Sequence, residues 1–277
     1  MWRVHVAFSI SHISLMSKES PVNVSIEGAV ASIQMNRPKR RNALSPELDE
    51  ALRDAFATVP YHDDVRSIVL HGAGPAFCAG ADLQFLRPTP APETIHRHVL
   101  DRYGPLVRRI VDCPVPVVAA IGGSAAGAGL ALALACDLRV MADDAVLVAG
   151  FSSIGFVPDS GVAYFLVRQL GYARAFEMLA LSDPIPAEQC IAWGIANRTT
   201  PPDALLENAH AYATRFAQRP TKALQWTKAC LRHAETSSLD ATIEHEALHQ
   251  SLAVQTDDHK EGVQAFIEKR EASFSGS

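Results

Sequence analysis

The stretch Pro114–Asp137, PVPVVAAIGGSAAGAGLALALACD, decides how the rest of the chain is read. It begins with an apolar, β-branched run, Val115–Ile121. It then passes through four glycines in the eight residues Gly122–Gly129 and ends in Leu130–Cys136, built almost wholly of leucine and alanine. β-branched residues favour strands, glycines permit tight backbone paths, and alanine and leucine are strong helix formers. The reading is strand, tight loop, helix. Side chains this small let another molecule lie against bare backbone. The start of the helix leaves N–H groups unpaired at the positive end of its dipole. Such a place suits a developing negative charge.

Rival readings of the stretch are weaker. It has about the length of a membrane span, but Pro114 and Pro116 open it, glycines interrupt it and no second span accompanies it. No G-x-G-x-x-G can be read. Gly122 and Gly127 have P-loop spacing, yet Ala128 stands where the lysine must be. A buried strand–helix corner, whose small residues serve only close packing, is the plain alternative.

The 277 residues suffice for one large domain or a domain with an appendage. A hydrophobic content of 48% with 20% charged residues fits a globular protein with a sizeable core. The net charge of −5 argues against nucleic acid or an anionic membrane as a general partner. Five scattered cysteines without a C-x-x-C imply neither a disulfide framework nor a zinc site, and a reducing cytoplasm is the expected compartment. The first fifteen residues, MWRVHVAFSISHISL, lack the pattern of a signal peptide. Met16 is an alternative start, and residues 1–20 are expected to be a disordered extension. A core over 21–200 and a helical C-terminal region over 201–277 complete the expected division.

Along the chain, Val22, Val24 and Ile26 alternate with polar residues and lead through Glu27-Gly28 into Val30–Met35, a hairpin. Arg37–Asn42 is a basic loop, either a solvated face or a contact for a phosphate-bearing ligand. Ser45 and Pro46 start a helix with an apolar face of Leu48, Ala51, Leu52, Ala55, Phe56 and Val59. The strand Val65–Leu70 runs into a second small-residue loop, Gly72–Leu83. Pro88, Pro90 and Pro92 make an irregular linker before a helix over Ile95–Val111. Leu138–Met141 and Ala145–Val148 are short strands, and Phe151–Val162 is a third loop. From Val162 the pattern is nearly all helical.

Together these pieces resemble the crotonase (enoyl-CoA hydratase/isomerase) superfamily, from about Val22 to Phe274. The carrying residues are Asn36-Arg37-Pro38 with Asn42-Ala43-Leu44, Ala76–Leu83, Gly127-Ala128-Gly129 with Ala135-Cys136-Asp137, and Glu261-Gly262 with Ala265-Phe266 and Glu268-Lys269-Arg270. The resemblance implies an α/β fold, a spiral of ββα units with a helical C-terminal part that builds trimers or hexamers. It implies an acyl-coenzyme A thioester as ligand, the coenzyme being part of the substrate, with no separate cofactor and no metal. The family's two oxyanion donors, backbone N–H groups, fall at Ala81 and Ala128. Lys39, Arg40, Arg41 and Lys269 fall where the family meets the CoA phosphates and nucleotide; Gln84 replaces a lysine common near the adenine. Ala79, Asp82, Leu83, Gly127, Phe151, Val157 and Phe266 complete the implied substrate site, with Asp82 also read as holding its loop.

The two glutamates of the hydratases correspond to Ala131 and Phe151, which can neither activate water nor manage a proton. One carboxylate is left in the third loop, Asp159. It is either an ordinary helix cap before Val162 or the acid/base group. The order F-S-x-I-G followed by P-D-S-G resembles the isomerase branch acting on ring-opened or epoxidised phenylacetyl-CoA, although Val162 replaces a usual glycine. In that reading Asp159 shuttles a proton between carbons, and Phe151, Phe156 and Val157 raise its pKa by desolvation. A hydratase of fatty-acid or aromatic degradation and a non-catalytic acyl-CoA binder are the alternatives. His233, His245 and His249 are read as solvent-facing or packing residues of the tail helices.

Overall fold

The alternating apolar residues at the start of the core build an antiparallel hairpin, β1 (Val22–Glu27) and β2 (Val30–Met35), with Val22 opposite Met35. The computed structural model of the chain describes residues 20–86 and 89–277; the expectations for residues 1–19 and for Pro88 lie outside the described residues. Helix α1 (Pro46–Thr58) starts at Ser45, whose hydroxyl accepts the Leu48 N–H at 3.3 Å. Its buried face is Leu48, Leu52, Ala55 and Phe56, as its periodicity indicates, joined by one carboxylate, Asp49. Strand β3 (Ser67–Gly72) runs parallel to β2.

Helix α2 (Pro92–His98), a π-helical turn Val99–Tyr103 and α3 (Gly104–Val111) form one continuous path. Pro105 has no N–H, and its ring would strike the carbonyl four residues back. The ladder widens just before it, so that Gly104 N–H donates to the Val99 carbonyl. Periodicity alone reads this path as a uniform helix. The inserted residue turns the two segments relative to each other, a device that recurs at functional sites.

Strand β4 (Val117–Ile121) is buried on both faces and pairs with β3. It begins two residues later than Val115, because Pro116 cannot donate to a ladder. The segment after it is not simply a loop. Gly123 turns at φ +62°, where an added Cβ would meet the Pro75 carbonyl oxygen at 2.0 Å. β5 (Ser124–Ala126) follows, with Ala125 bridging to Cys78. Helix α4 (Ala128–Ala135) buries all eight of its residues, which is why it carries no polar face.

β6 (Leu138–Ala142) and β7 (Val146–Val148) are followed by α5 (Val162–Leu170) and α6 (Tyr172–Leu181). The short elements β8 (Ile185–Pro186), α7 (Ala187–Ala192) and β9 (Arg198–Thr200) come next. The main sheet has the order β1-β2-β3-β4-β6-β9, parallel from β2 onward; a small sheet has the order β5-β7-β8. Helix α8 (Leu205–Ala217) lies on the main sheet through Ala209, Ala213 and Ala217, whose small side chains allow a close approach. Helices α9 (Thr221–Ala234), α10 (Leu239–Ala253) and α11 (Asp257–Glu268) end the chain. No helix among the described residues is long and apolar enough to cross a membrane.

Candidate active site

A cavity of about 480 Å³ opens where the loop after β3, the start of α4, the path through α2 and the loop before α5 meet. Ala81 and Ala128 both line it. Ala81 bridges to Leu44 in parallel fashion: Leu44 N–H donates to the Gly80 carbonyl at 2.7 Å, and Asp82 N–H to the Leu44 carbonyl at 3.1 Å. That pattern uses the peptide groups on either side and leaves the Ala81 N–H free. Ala128 is the first residue of α4, so its N–H has no intrahelical acceptor. Among the described residues neither N–H meets a backbone acceptor.

The two donors are neighbours. A Cβ at Gly80 would lie 3.4 Å from the Ala128 nitrogen and 2.7 Å from the Ala126 carbonyl oxygen. Gly80 has φ +90° and Gly127 has φ +51°, ψ −122°, conformations that glycine reaches without strain. The small-residue pattern of both loops thus holds two main-chain donors at one spot on the cavity wall.

Buried polar groups fix the Ala81 loop. Asn42, fully buried, donates to the carbonyls of Ala73 (2.9 Å) and Ala76 (2.8 Å) and accepts the Arg37 N–H (2.9 Å). The Arg37 guanidinium reaches the Ala43 carbonyl and pairs with Asp82 at 3.0 Å. Asp82 is only 7% exposed and also accepts the Gln84 N–H at 3.3 Å. Arg37→Ala leaves that carboxylate buried without its cation. It is expected to lower stability by about 3 kcal/mol, read as a denaturation midpoint.

Asp159 sits half-buried in the cavity wall. It is not a helix cap: the residue before α5 is Gly161, and no side chain caps that helix. Burial pushes the Asp159 carboxyl above the usual aspartate value, while the Ser160 hydroxyl, donating to Oδ1 at 2.7 Å, and His98 draw it part of the way back. Ser160 is buried and held at φ +54°, a strained conformation for a serine. Desolvation raises the acid, and two of the three apolar neighbours expected around it share its wall. Phe151 and Phe156 are in the wall, whereas Val157 is 79% exposed.

Two titratable wall residues were not expected from the sequence, His98 and Tyr103. Their rings meet edge to face at 4.6 Å, brought together across the π turn. Burial holds His98 below the usual histidine value, with Arg102 acting the same way and Asp49 and Asp159 opposing it. Burial, then Asp159, pushes the Tyr103 phenol well above its usual range. Asp49, almost wholly buried on α1, is raised by desolvation and paired with Arg53 at 3.0 Å. A five-residue His–Tyr spacing has no meaning on a regular helix. The only signal was Gly104-Pro105 inside an otherwise helical run.

Of the remaining expected residues, Arg40, Ala79, Asp82, Leu83, Gly127 and Phe151 line the cavity. Lys39 and Arg41 are exposed beside Arg40 on the short turn Pro38–Arg40 and just after it, outside the wall. Phe266 and Lys269 lie at the end of α11; Phe266 is 86% exposed, and neither reaches this chain's own cavity. Ala131 is fully buried within α4 and Phe151 packs into the wall, so the two positions that the resemblance aligns with the hydratase glutamates are apolar.

The enoyl-CoA hydratase/isomerase family profile matches residues 25–277. The 1,2-epoxyphenylacetyl-CoA isomerase of Escherichia coli K12 is 38% identical over 254 residues, covering 91% of this chain and 97% of that relative. A Rhodobacter capsulatus protein named "Probable enoyl-CoA hydratase" is 35% identical, covering 92% of this chain and 98% of that relative. The crystal structure of an enoyl-CoA hydratase from Bacillus anthracis superposes with a TM-score of 0.88 at 30% identity, over 93% of this chain and all of that one. Fold, sequence and the paired main-chain donors agree, and the chain belongs to the enoyl-CoA hydratase/isomerase family, with the crotonase fold.

Proposed function

We propose that the protein is an isomerase of an unsaturated or epoxidised acyl-CoA thioester, working with one carboxylate. The observation that carries this reading is Asp159: a desolvated acid on the wall that also holds two free main-chain N–H groups, in a cavity with no carboxylate at either hydratase position. With the thioester oxygen on Ala81 and Ala128 N–H, Asp159 removes a proton from the carbon next to the carbonyl. The electron pair moves onto the oxygen as an enolate conjugated with the double bond, and Asp159 returns the proton two carbons further along. Two preset donors stabilise the enolate more than the ground state. Desolvation makes the carboxylate a stronger base. The exposed turn of Lys39, Arg40 and Arg41 supplies charge for the CoA phosphates.

The test is a panel of CoA thioesters, aliphatic 3-enoyl against phenylacetyl-derived, with products identified by NMR. Shifted double bonds or rearranged rings are expected. Rapid hydration of crotonyl-CoA instead would replace this reading with the hydratase one, and binding without turnover would leave a silent binder.

The Ser160 hydroxyl stabilises the charged form of Asp159, so its removal raises the pKa further. In Ser160→Ala the acid limb of the kcat/KM profile is therefore expected to move to higher pH. Ser160→Gly gives the same pH shift with a higher Tm than Ser160→Ala, because glycine accepts φ +54°.

We also propose a homo-oligomer, trimer or hexamer, in the cytoplasm. Leu239, Ile243, Leu248, Phe266 and Ile267 leave a large apolar surface exposed on α10 and α11. Phe266 and Lys269 meet a CoA only if one copy presents them to another. Sedimentation analysis checks this: a monomer at micromolar concentration would remove the idea.

A further inference from the structure

Helices α9 and α10 pack on one another across a connection of residues 235–238, and neither buries a residue within this chain. Their contact carries a thiol and three imidazoles. One donor atom each from Cys230, His245 and His249 lies within 4.8 Å of the other two. His245 and His249 are four residues apart, hence on one face of α10. Cys230 and His233, three apart, share a face of α9. The His245 ring stacks on His233 with centroids 4.2 Å apart and lies 4.3 Å from His249.

Two details suit ligation. His249 Nδ1–H donates to the His245 carbonyl at 2.9 Å, which fixes the tautomer and leaves a lone pair on Nε2. The Nε2 of His233 is buried and has no partner among the described residues, an unmet polar demand inside the cluster. The sequence shows His245 and His249 as an H-x-x-x-H pair but not their partner, because the thiol comes from the other helix.

We propose that Cys230, His245 and His249 form a site for a borderline-soft divalent transition-metal ion of the zinc class, which clamps α9 to α10. Zinc accepts both thiolate and imidazole donors in tetrahedral sites that keep water in the fourth position. Tetrahedral donors at zinc bond lengths stand about 3.3–3.5 Å apart, so closure requires side-chain rotation of about 1 Å. Binding forms the metal–sulfur bond as the thiol proton passes to solvent, with no change of oxidation state. His233 is a positioning residue that holds His245 by stacking. None of the four lines the acyl-CoA cavity, so the clamp is structural and leaves turnover unchanged.

The test is a cobalt(II) titration of the full-length protein, followed by displacement with zinc. Expected are one cobalt per chain, a thiolate-to-cobalt charge-transfer band in the near ultraviolet and tetrahedral bands in the visible, all removed by zinc. Cys230→Ser abolishes the charge-transfer band and the zinc-induced rise in Tm, while acyl-CoA turnover at the parent rate confirms its folding. The other cysteines, Cys78, Cys113, Cys136 and Cys190, are buried and do not supply the band. His249→Gln, an independent variant, loses the tetrahedral bands. Absence of the charge-transfer band in the parent, or its persistence in Cys230→Ser, would overturn the proposal.

Discussion

Asp159→Asn is expected to lower turnover by about 10²–10⁴-fold, the range of a lost general acid/base, with acyl-CoA affinity nearly unchanged. Asparagine has the same shape and can still accept the Ser160 hydroxyl, so the wall keeps its form. What disappears is the proton carrier. The same substitution is expected to raise Tm at neutral pH. Burial lifts the folded-state pKa of Asp159 above the unfolded value of 3.8, so the folded chain binds that proton more tightly than the unfolded one. Stability gained from the neutral acid is fully present below 3.8 and is lost as pH rises through the folded pKa. The advantage of the asparagine variant should therefore shrink as pH falls from 7 toward 3.8. Turnover and melting measured together separate the two effects: a dead enzyme that melts higher is the expected pair, and parent-like turnover would remove Asp159 from the mechanism.

Gly80→Ala should produce the second-largest effect. The new methyl would stand 2.7 Å from the Ala126 carbonyl oxygen, at φ +90°, so backbone on one side or the other must shift. Either shift moves the Ala81 or the Ala128 N–H away from the place proposed for the enolate oxygen. Loss of one such donor costs about 10²–10³ in kcat, and the strained backbone costs about 1–3 kcal/mol of stability. On the proposed reading the CoA portion should still bind, because the side chains of Lys39, Arg40 and Arg41 that would meet it are not the groups that clash with the new methyl. A kcat loss with KM nearly constant is the signature. A fall in KM-limited binding alone would place the oxyanion somewhere other than Ala81 and Ala128.

The parts of the architecture that were legible in the sequence were those with a strong period or a strong punctuation. The β1–β2 hairpin, α1 after Ser45-Pro46 and the Pro114–Asp137 segment all have one or the other. Strands β5, β8 and β9 are two or three residues long, too short to show alternation, and exist only because neighbouring segments pair with them. The small residues of Pro114–Asp137 pointed to unpaired N–H groups at the start of α4, while the pairing of Ala81 with Ala128 came from the family resemblance. Asp159 stood out as the one carboxylate of the third loop, in a P-D-S-G order that resembles the isomerase branch. His98 and Tyr103 were not, since their meeting depends on a ladder widened before Pro105, which a periodic reading smooths over. The Cys230–His245–His249 cluster was hidden for a related reason: its residues converge only when two helices fold against each other.

The most direct measurement is proton NMR of the purified enzyme acting in D₂O on a 3-enoyl-CoA and, separately, on a trans-2-enoyl-CoA. The expected result is conversion of the first to its conjugated 2-enoyl isomer, with deuterium entering at C4, where the proton is returned, and no 3-hydroxyacyl-CoA from the second. Accumulation of 3-hydroxyacyl-CoA at a rate matching or exceeding isomerisation would contradict a single-carboxylate isomerase.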